Sequence, residues 1–204
     1  MKALIVCEGK HERGVTADDS GEQERPGALE TIVRRLAQEQ HQYTLASVRR
    51  DGIRAYHGRG KGFFKRAMRW LLQAKDEGYD ILVFLIDEDG ERERVRQIDE
   101  AQDLVRDDCV ERRALGVAIR RFDAWMLADE QALTSVLGCS VPRQRSPESI
   151  RDPKSTCEGL RDSSPSDKSL SEMYAAVADA ADLDLLSARC RGGFKPFAER
   201  VHAL

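Results

Sequence analysis

Residues 81–90 read Ile81-Leu82-Val83-Phe84-Leu85-Ile86-Asp87-Glu88-Asp89-Gly90. Six consecutive aliphatic or aromatic side chains leave no polar face, the pattern of a parallel strand buried on both sides. The run stops at three acids and a glycine. A second apolar run, Leu4-Ile5-Val6-Cys7, stops at Glu8-Gly9-Lys10-His11-Glu12. In open α/β sheets, ligands sit at the carboxyl ends of the strands. Two acidic strand ends therefore put carboxylates on one edge of one sheet, where they repel each other unless a cation holds them. A hard divalent ion, Mg²⁺ or Mn²⁺, suits such oxygen donors.

The rest of the chain supplies the partners of these strands. Residues 2–7, 43–48, 80–86 and 114–119 read as strands. Helices are expected at about 27–36, 63–77, 91–108, 122–129 and 130–137, from apolar residues at helical spacing such as Leu29, Ile32, Val33 and Leu36. Residues 14–27 are polar and read as a loop, and 138–166 read as irregular. Three further helices are expected at 170–181, 183–189 and 194–202. Alternating strands and helices imply right-handed crossovers. The predicted fold is α/β, a mostly parallel sheet of about four strands flanked by helices, with a small C-terminal helical extension. Residues 1–137 would form the α/β domain, and 138–204 would pack on it.

Composition narrows the class. The chain has 204 residues, 34% charged, and a net charge of −3, which argues against a wholly basic nucleic-acid binder but leaves room for local patches. The five cysteines, Cys7, Cys109, Cys139, Cys157 and Cys190, are odd in number and none are spaced as CxxC. Neither a disulfide framework nor a zinc knuckle is expected, and reduced thiols fit a cytoplasmic location. No run is long and apolar enough to span a bilayer, so no membrane partner is expected.

Three acidic positions carry the metal hypothesis, and each has an ordinary reading beside it. Glu8 and Glu12 could be solvated loop acids. Asp87 and Asp89 would point to one side if the extended chain continued, or could open a helix. Asp123 follows the fourth strand, but spacing alone favours a helix start with Trp125, Met126 and Leu127 as core. A basic, glycine-rich stretch lies between the second strand and its helix. There Gly58, Gly60 and Gly62 alternate with basic residues, and Arg54, Arg59, Lys61, Lys65 and Arg66 are candidate phosphate contacts. The stretch does not match the P-loop pattern. Lys154 carries no signal by itself.

Together these elements resemble a known family. Glu8-Gly9-x-x-Glu12 with Asp87-x-Asp89 is similar to the Toprim catalytic pattern of the overcoming-lysogenization-defect nucleases. Asp123-Ala124-Trp125-Met126-Leu127-Ala128-Asp129, Pro153-Lys154 and the segment from Cys190 to Phe194 resemble the Toprim-like domain-of-unknown-function 4276 family over nearly the full chain. Asp123 stands where that family usually has a glutamate, and the loop after Glu12 is longer.

The resemblance implies Mg²⁺- or Mn²⁺-dependent nuclease chemistry, with Glu8, Glu12, Asp87, Asp89 and Asp123 as metal ligands and Glu8, Asp87, Asp89 and Lys154 as catalytic residues. It implies nucleic acid as partner, DNA ahead of RNA, an ATPase protein partner, and a place in phage-defence, mobile-element or DNA-repair systems. Two other readings stay open: a non-catalytic nucleic-acid- or nucleotide-binding module serving an ATPase, and a phosphotransferase with Asp87 as nucleophile.

Overall fold

The computed structural model describes residues 1–15, 25–37 and 40–204. Four strands, Lys2–Cys7 (β1), Gln42–Ser47 (β4), Ile81–Asp87 (β5) and Arg112–Ala118 (β6), form one parallel sheet in the order β4-β1-β5-β6. The chain runs from β1 outward to β4, then crosses back to β5 on the other side of β1. The sheet therefore reverses its winding between β1 and β5, which opens a crevice at their carboxyl ends. Of the expected loop over 14–27, residues 16–24 lie outside the described residues. Its ends, Gly14–Val15 (β2) and Arg25–Pro26 (β3), pair as a short antiparallel ladder.

Period-two alternation distributes the strand side chains between two cores. Ala3, Ile5, Cys7, Ile81, Val83 and Leu85 face one, and Leu4, Val6, Leu82, Phe84 and Ile86 face the other. Gly62–Asp76 (α3) and Glu93–Asp103 (α4) cover the second face. The first face is covered by Ala28–Leu36 (α2), Leu170–Ala180 (α8) and Phe194–His202 (α10), with α8 packed on α2 and α10 on β6. Because both faces are buried, β1 is apolar from Ala3 to Cys7 and β5 from Ile81 to Ile86.

The remaining helices are short. Lys10–Arg13 (α1) is one turn directly after β1. Asp123–Met126 (α5), Glu130–Leu137 (α6), Pro153–Asp162 (α7) and Leu183–Arg189 (α9) complete the chain. Asp129 caps α6 through its Oδ1, accepting the Gln131 and Ala132 N–H groups, and its Oδ2 accepts the Asp182 N–H that opens α9.

Two elements differ from the expectation. Helix α4 stops at Asp103, not near 108, because Leu104 turns extended and Arg106 pairs with Asp108 at 2.6 Å in a solvated turn. Helix α7 stands inside the segment expected to be irregular. Its start carries a usable signal: the Asp152 carboxylate accepts the Ser155 N–H at 3.1 Å, and Pro153 occupies the first turn. Composition rich in Ser, Arg and Asp obscured that signal.

Gly193 joins α10 to the rest. A Cβ there would lie 2.8 Å from the Ile119 nitrogen and 2.9 Å from the Val117 oxygen. Both are backbone atoms, which cannot swing aside. Gly193→Ala is expected to cost about 1–3 kcal/mol by overpacking, measured as a lower urea midpoint with an unchanged m-value.

Candidate functional site

The carboxylates of the switch point are set by strand ends and one-turn helices. Asp87 is the last residue of β5, and its Oδ1 accepts the Phe122 N–H at 2.8 Å, tying the ends of β5 and β6 together. Glu8 follows β1, and its Oε2 accepts the Asp87 N–H at 3.1 Å across the β1–β5 crevice. Its Oε1 stands 3.6 Å from the Arg66 guanidinium.

Glu12 turns back on α1 and is buried, with its Oε2 accepting the Gly9 N–H at 3.3 Å. Gly9 leaves room for this carboxylate: a Cβ there would sit 2.3 Å from Glu12 Oε1 and displace it. The first acidic cluster is thus a compact Glu-Gly-x-x-Glu turn with both acids directed toward β5 and β6.

Asp123 opens α5 and is also buried. The Tyr174 hydroxyl, from α8, donates to its Oδ1, and the Cys157 thiol, from α7, contacts its carbonyl at 3.6 Å. Burial pushes the Cys157 thiol up to about 12, so it is not a nucleophile.

The electrostatics follow from crowding of like charge in a partly buried crevice. Burial first, then the charges of Asp123, Asp89 and Glu8, raise Asp87 to about 7, although the Phe122 N–H opposes this. Burial and the charges of Asp87, Asp123 and Glu8 hold Glu12 well above the ordinary glutamate range. A carboxyl raised in the folded state binds its proton more tightly there than in the unfolded chain. Its contribution is therefore fully present below the unfolded value near 4 and is lost as pH climbs through about 7. With chelator present, the melting midpoint of the chain is expected to carry a component that falls between about pH 4 and 7. That component is expected to shrink in Asp87→Asn, read by thermal melts of both proteins across the range.

The donor set is all carboxylate, which matches Mg²⁺ or Mn²⁺. Among the described residues, however, no three His, Cys, Asp or Glu side chains stand ready-gathered to hold one metal ion. Glu8 and Asp87 are instead each engaged by a backbone N–H.

Two candidates take different positions from those their spacing suggested. Extended backbone stops at Asp87, and Asp89 adopts φ 49°. Its carboxylate turns to Arg94 and Arg121, each 3.2 Å away, so that it pairs with two arginines. Arg54 pairs with Asp76 at 2.8 Å. Asp76 is ten residues beyond Arg66 along α3, or about 15 Å at 1.5 Å per residue, so Arg54 is carried away from the crevice.

Arg59 and Lys61 are exposed on the approach to α3, and Lys65 and Arg66 lie on its first turns. Lys154, on the first turn of α7, stands 4.0 Å from Glu158. Burial, then the charges of Lys10 and Lys154, lower the proton affinity of His11, which places Lys154 within range of α1.

Several residues escaped sequence reading. Arg94 is buried, donates to the Asp87 carbonyl at 2.6 Å and lies over the Phe63 ring at 4.2 Å. Its position seven residues after Asp87 gave no signal. Tyr174 and Ser171 come from α8, and Ser171 meets His11 Nδ1 at 2.6 Å. Such contacts, 160 residues apart for the His11–Ser171 pair, leave no local pattern.

A family model described as "Domain of unknown function (DUF4276)" matches residues 21–201. The match takes in Asp87, Asp89, Asp123 and Lys154 and begins after Glu8 and Glu12. No curated protein and no solved structure matches the chain.

Proposed function

The chain belongs to the DUF4276 family, and on that footing we propose that it is a divalent-metal-dependent nuclease of Toprim type, hydrolysing phosphodiester bonds at the carboxyl edge of its sheet. One observation carries the reading. At the winding switch, half-buried Asp87 and buried Glu12 stand beside Glu8 and Asp123, and burial first, then like charge, raises both. Carboxylates kept together against their own repulsion are a cation's ligands in waiting.

Mg²⁺ or Mn²⁺, held by Glu8, Glu12, Asp87 and Asp123, would polarise the scissile phosphate and acidify a bound water. The chain's own groups arrange the rest. Tyr174 fixes the shorter Asp123 side chain by donating to Oδ1. Asp89 holds Arg94 and Arg121 in place. Glu8, which accepts the Asp87 N–H, is the group to take or return a proton. Lys154 would offset charge developing on the phosphate. Arg66, with Arg59, Lys61 and Lys65 on the same approach to α3, would hold the strand through its phosphates. DNA is proposed ahead of RNA, with an ATPase as protein partner in phage defence, mobile-element or DNA-repair systems in the cytoplasm. No helix among the described residues is long and apolar enough to cross a membrane.

A second reading, a non-catalytic nucleic-acid-binding module, draws on a different observation. Glu8 and Asp87 each already accept a backbone N–H, so their oxygens are satisfied in part without an ion. Calorimetric titration with Mn²⁺, alongside incubation with single- and double-stranded DNA and RNA, separates the two. Mn²⁺ binding together with cleavage supports the nuclease. Nucleic-acid binding without either supports the module.

A further inference from the structure

Resting on the nucleic-acid reading above, we propose that Arg120, Arg121 and Arg151 form a phosphate subsite for a strand lying across the carboxylates. These three arginines line a cavity of about 140 Å³ with Asp89, Gly90 and Pro153. At about 30 Å³ per water in the liquid, that space suits one tetrahedral phosphate group and not a nucleoside. Three arginines and one carboxylate line it, and that carboxylate is engaged by Arg121 and by Arg94, each at 3.2 Å.

The arginines differ from most cations of this chain. Among the described residues the Arg120 and Arg151 guanidinium groups make no hydrogen bond or ion pair with protein. By contrast, a second basic cavity of about 250 Å³, containing Arg49, Arg50, Arg66 and Arg69, has most of its charge committed. There Arg50 pairs with Glu77 at 2.8 Å, and Arg69 donates to the Ile53 and Arg54 carbonyls.

The backbone aims Arg120 at some cost. It sits at φ 63°, where a side chain with a Cβ is disfavoured. Three hydrogen bonds hold it: its N–H donates to Glu88 Oε2 at 3.1 Å, its carbonyl accepts the Asp89 N–H at 3.1 Å, and the Glu88 N–H is tied to Ala118 at 2.9 Å. Glu88 is buried, and its carboxylate accepts the Arg120 N–H. Strain of this kind, fixed by buried hydrogen bonds, gathers where a side chain must be presented.

Position completes the argument. Arg121 precedes Phe122, whose N–H binds Asp87, and Asp89 is two residues from Asp87, or at most about 7.6 Å at 3.8 Å per step. Arg66, at the edge of the second basic cavity, stands 3.6 Å from Glu8. A strand with one phosphate at the carboxylates would place neighbouring phosphates toward the arginines on either flank.

The test uses the full chain in EDTA, so that cleavage does not intervene, with fluorescein-labelled 20-nucleotide single-stranded DNA and its duplex. Binding anisotropy is followed from about 50 to 200 mM salt. Arg120→Gln with Arg151→Gln is expected to raise Kd about three- to tenfold at the lower salt and to make the salt slope shallower by about 1–2. Arg143→Gln, an exposed arginine facing Glu130 elsewhere, is expected to change neither.

An unchanged Kd and slope in the double variant, with wild-type binding intact, would overturn the subsite and leave the nuclease reading standing. A wild-type chain that binds neither DNA in EDTA would overturn the subsite, while the nuclease reading stands or falls on Mn²⁺-dependent cleavage. Inorganic phosphate added at constant ionic strength separates the two phosphate sources. If the variant loses only that competition and keeps its DNA affinity, the cavity takes free phosphate and the strand subsite falls. Should the double variant melt early, Arg151→Gln alone, at an exposed position, carries the same expectation at about half the change in slope.

Discussion

Asp87→Asn is expected to lower Mn²⁺-dependent phosphodiester cleavage by about 10³-fold, roughly 4 kcal/mol of barrier, while the protein stays folded. Asparagine keeps the side-chain oxygen that accepts the Phe122 N–H at 2.8 Å, so the tie between β5 and β6 survives. What is lost is the negative charge that burial and three neighbouring carboxylates oppose. The substitution therefore separates structure from chemistry. With chelator present at pH 8 the variant is expected to melt no lower than wild type, because a charge held against its neighbours has gone. Calorimetry is expected to show weakened Mn²⁺ binding. Cleavage at the wild-type rate by a folded Asp87→Asn protein would sink the metal mechanism.

Trp125→Ala is expected to cost about 3–5 kcal/mol. The ring is fully buried, with centroids of Phe122, Phe194 and Phe197 within 5.3, 5.1 and 5.5 Å. Those contacts join α5 to α10, so the cavity would open between the site's third strand end and the C-terminal cover. At about 2–4 °C per kcal/mol for a chain of this size, the melting midpoint should drop by roughly 10 °C. The indole N–H is buried without a partner among the described residues, so volume and not hydrogen bonding is what the ring supplies. Trp125→Phe should therefore recover most of the loss. Equal destabilisation by Phe and Ala would contradict that account.

The parts of the site legible beforehand were those written in consecutive residues. Residues 81–86 announced a doubly buried strand because no polar face interrupts them, and the acids that stop the run mark its carboxyl end. Glu8-Gly9-x-x-Glu12 was legible for the same reason: the glycine that allows the turn is adjacent to the acid whose place it makes. The direction of Asp89 was not legible because it depends on φ at a single turn, which a spacing rule assuming extended chain does not contain. The ion pair of Arg54 was not legible because its partner, Asp76, stands 22 residues on, and only the fold brings the two together.

By itself the sequence determined the parallel α/β sheet, the two acidic strand ends and the basic approach to α3, since each is fixed by local hydrophobic period or adjacent residues. Tertiary structure alone decided which acids share the crevice. It sets Tyr174 on Asp123, turns Asp89 outward to Arg94 and Arg121, and assembles Arg120, Arg121 and Arg151 from separate segments. The physical reason is that charge and hydrogen bonding act through space. Strand order and helix packing set those distances, and neither leaves a trace in the local pattern of residues.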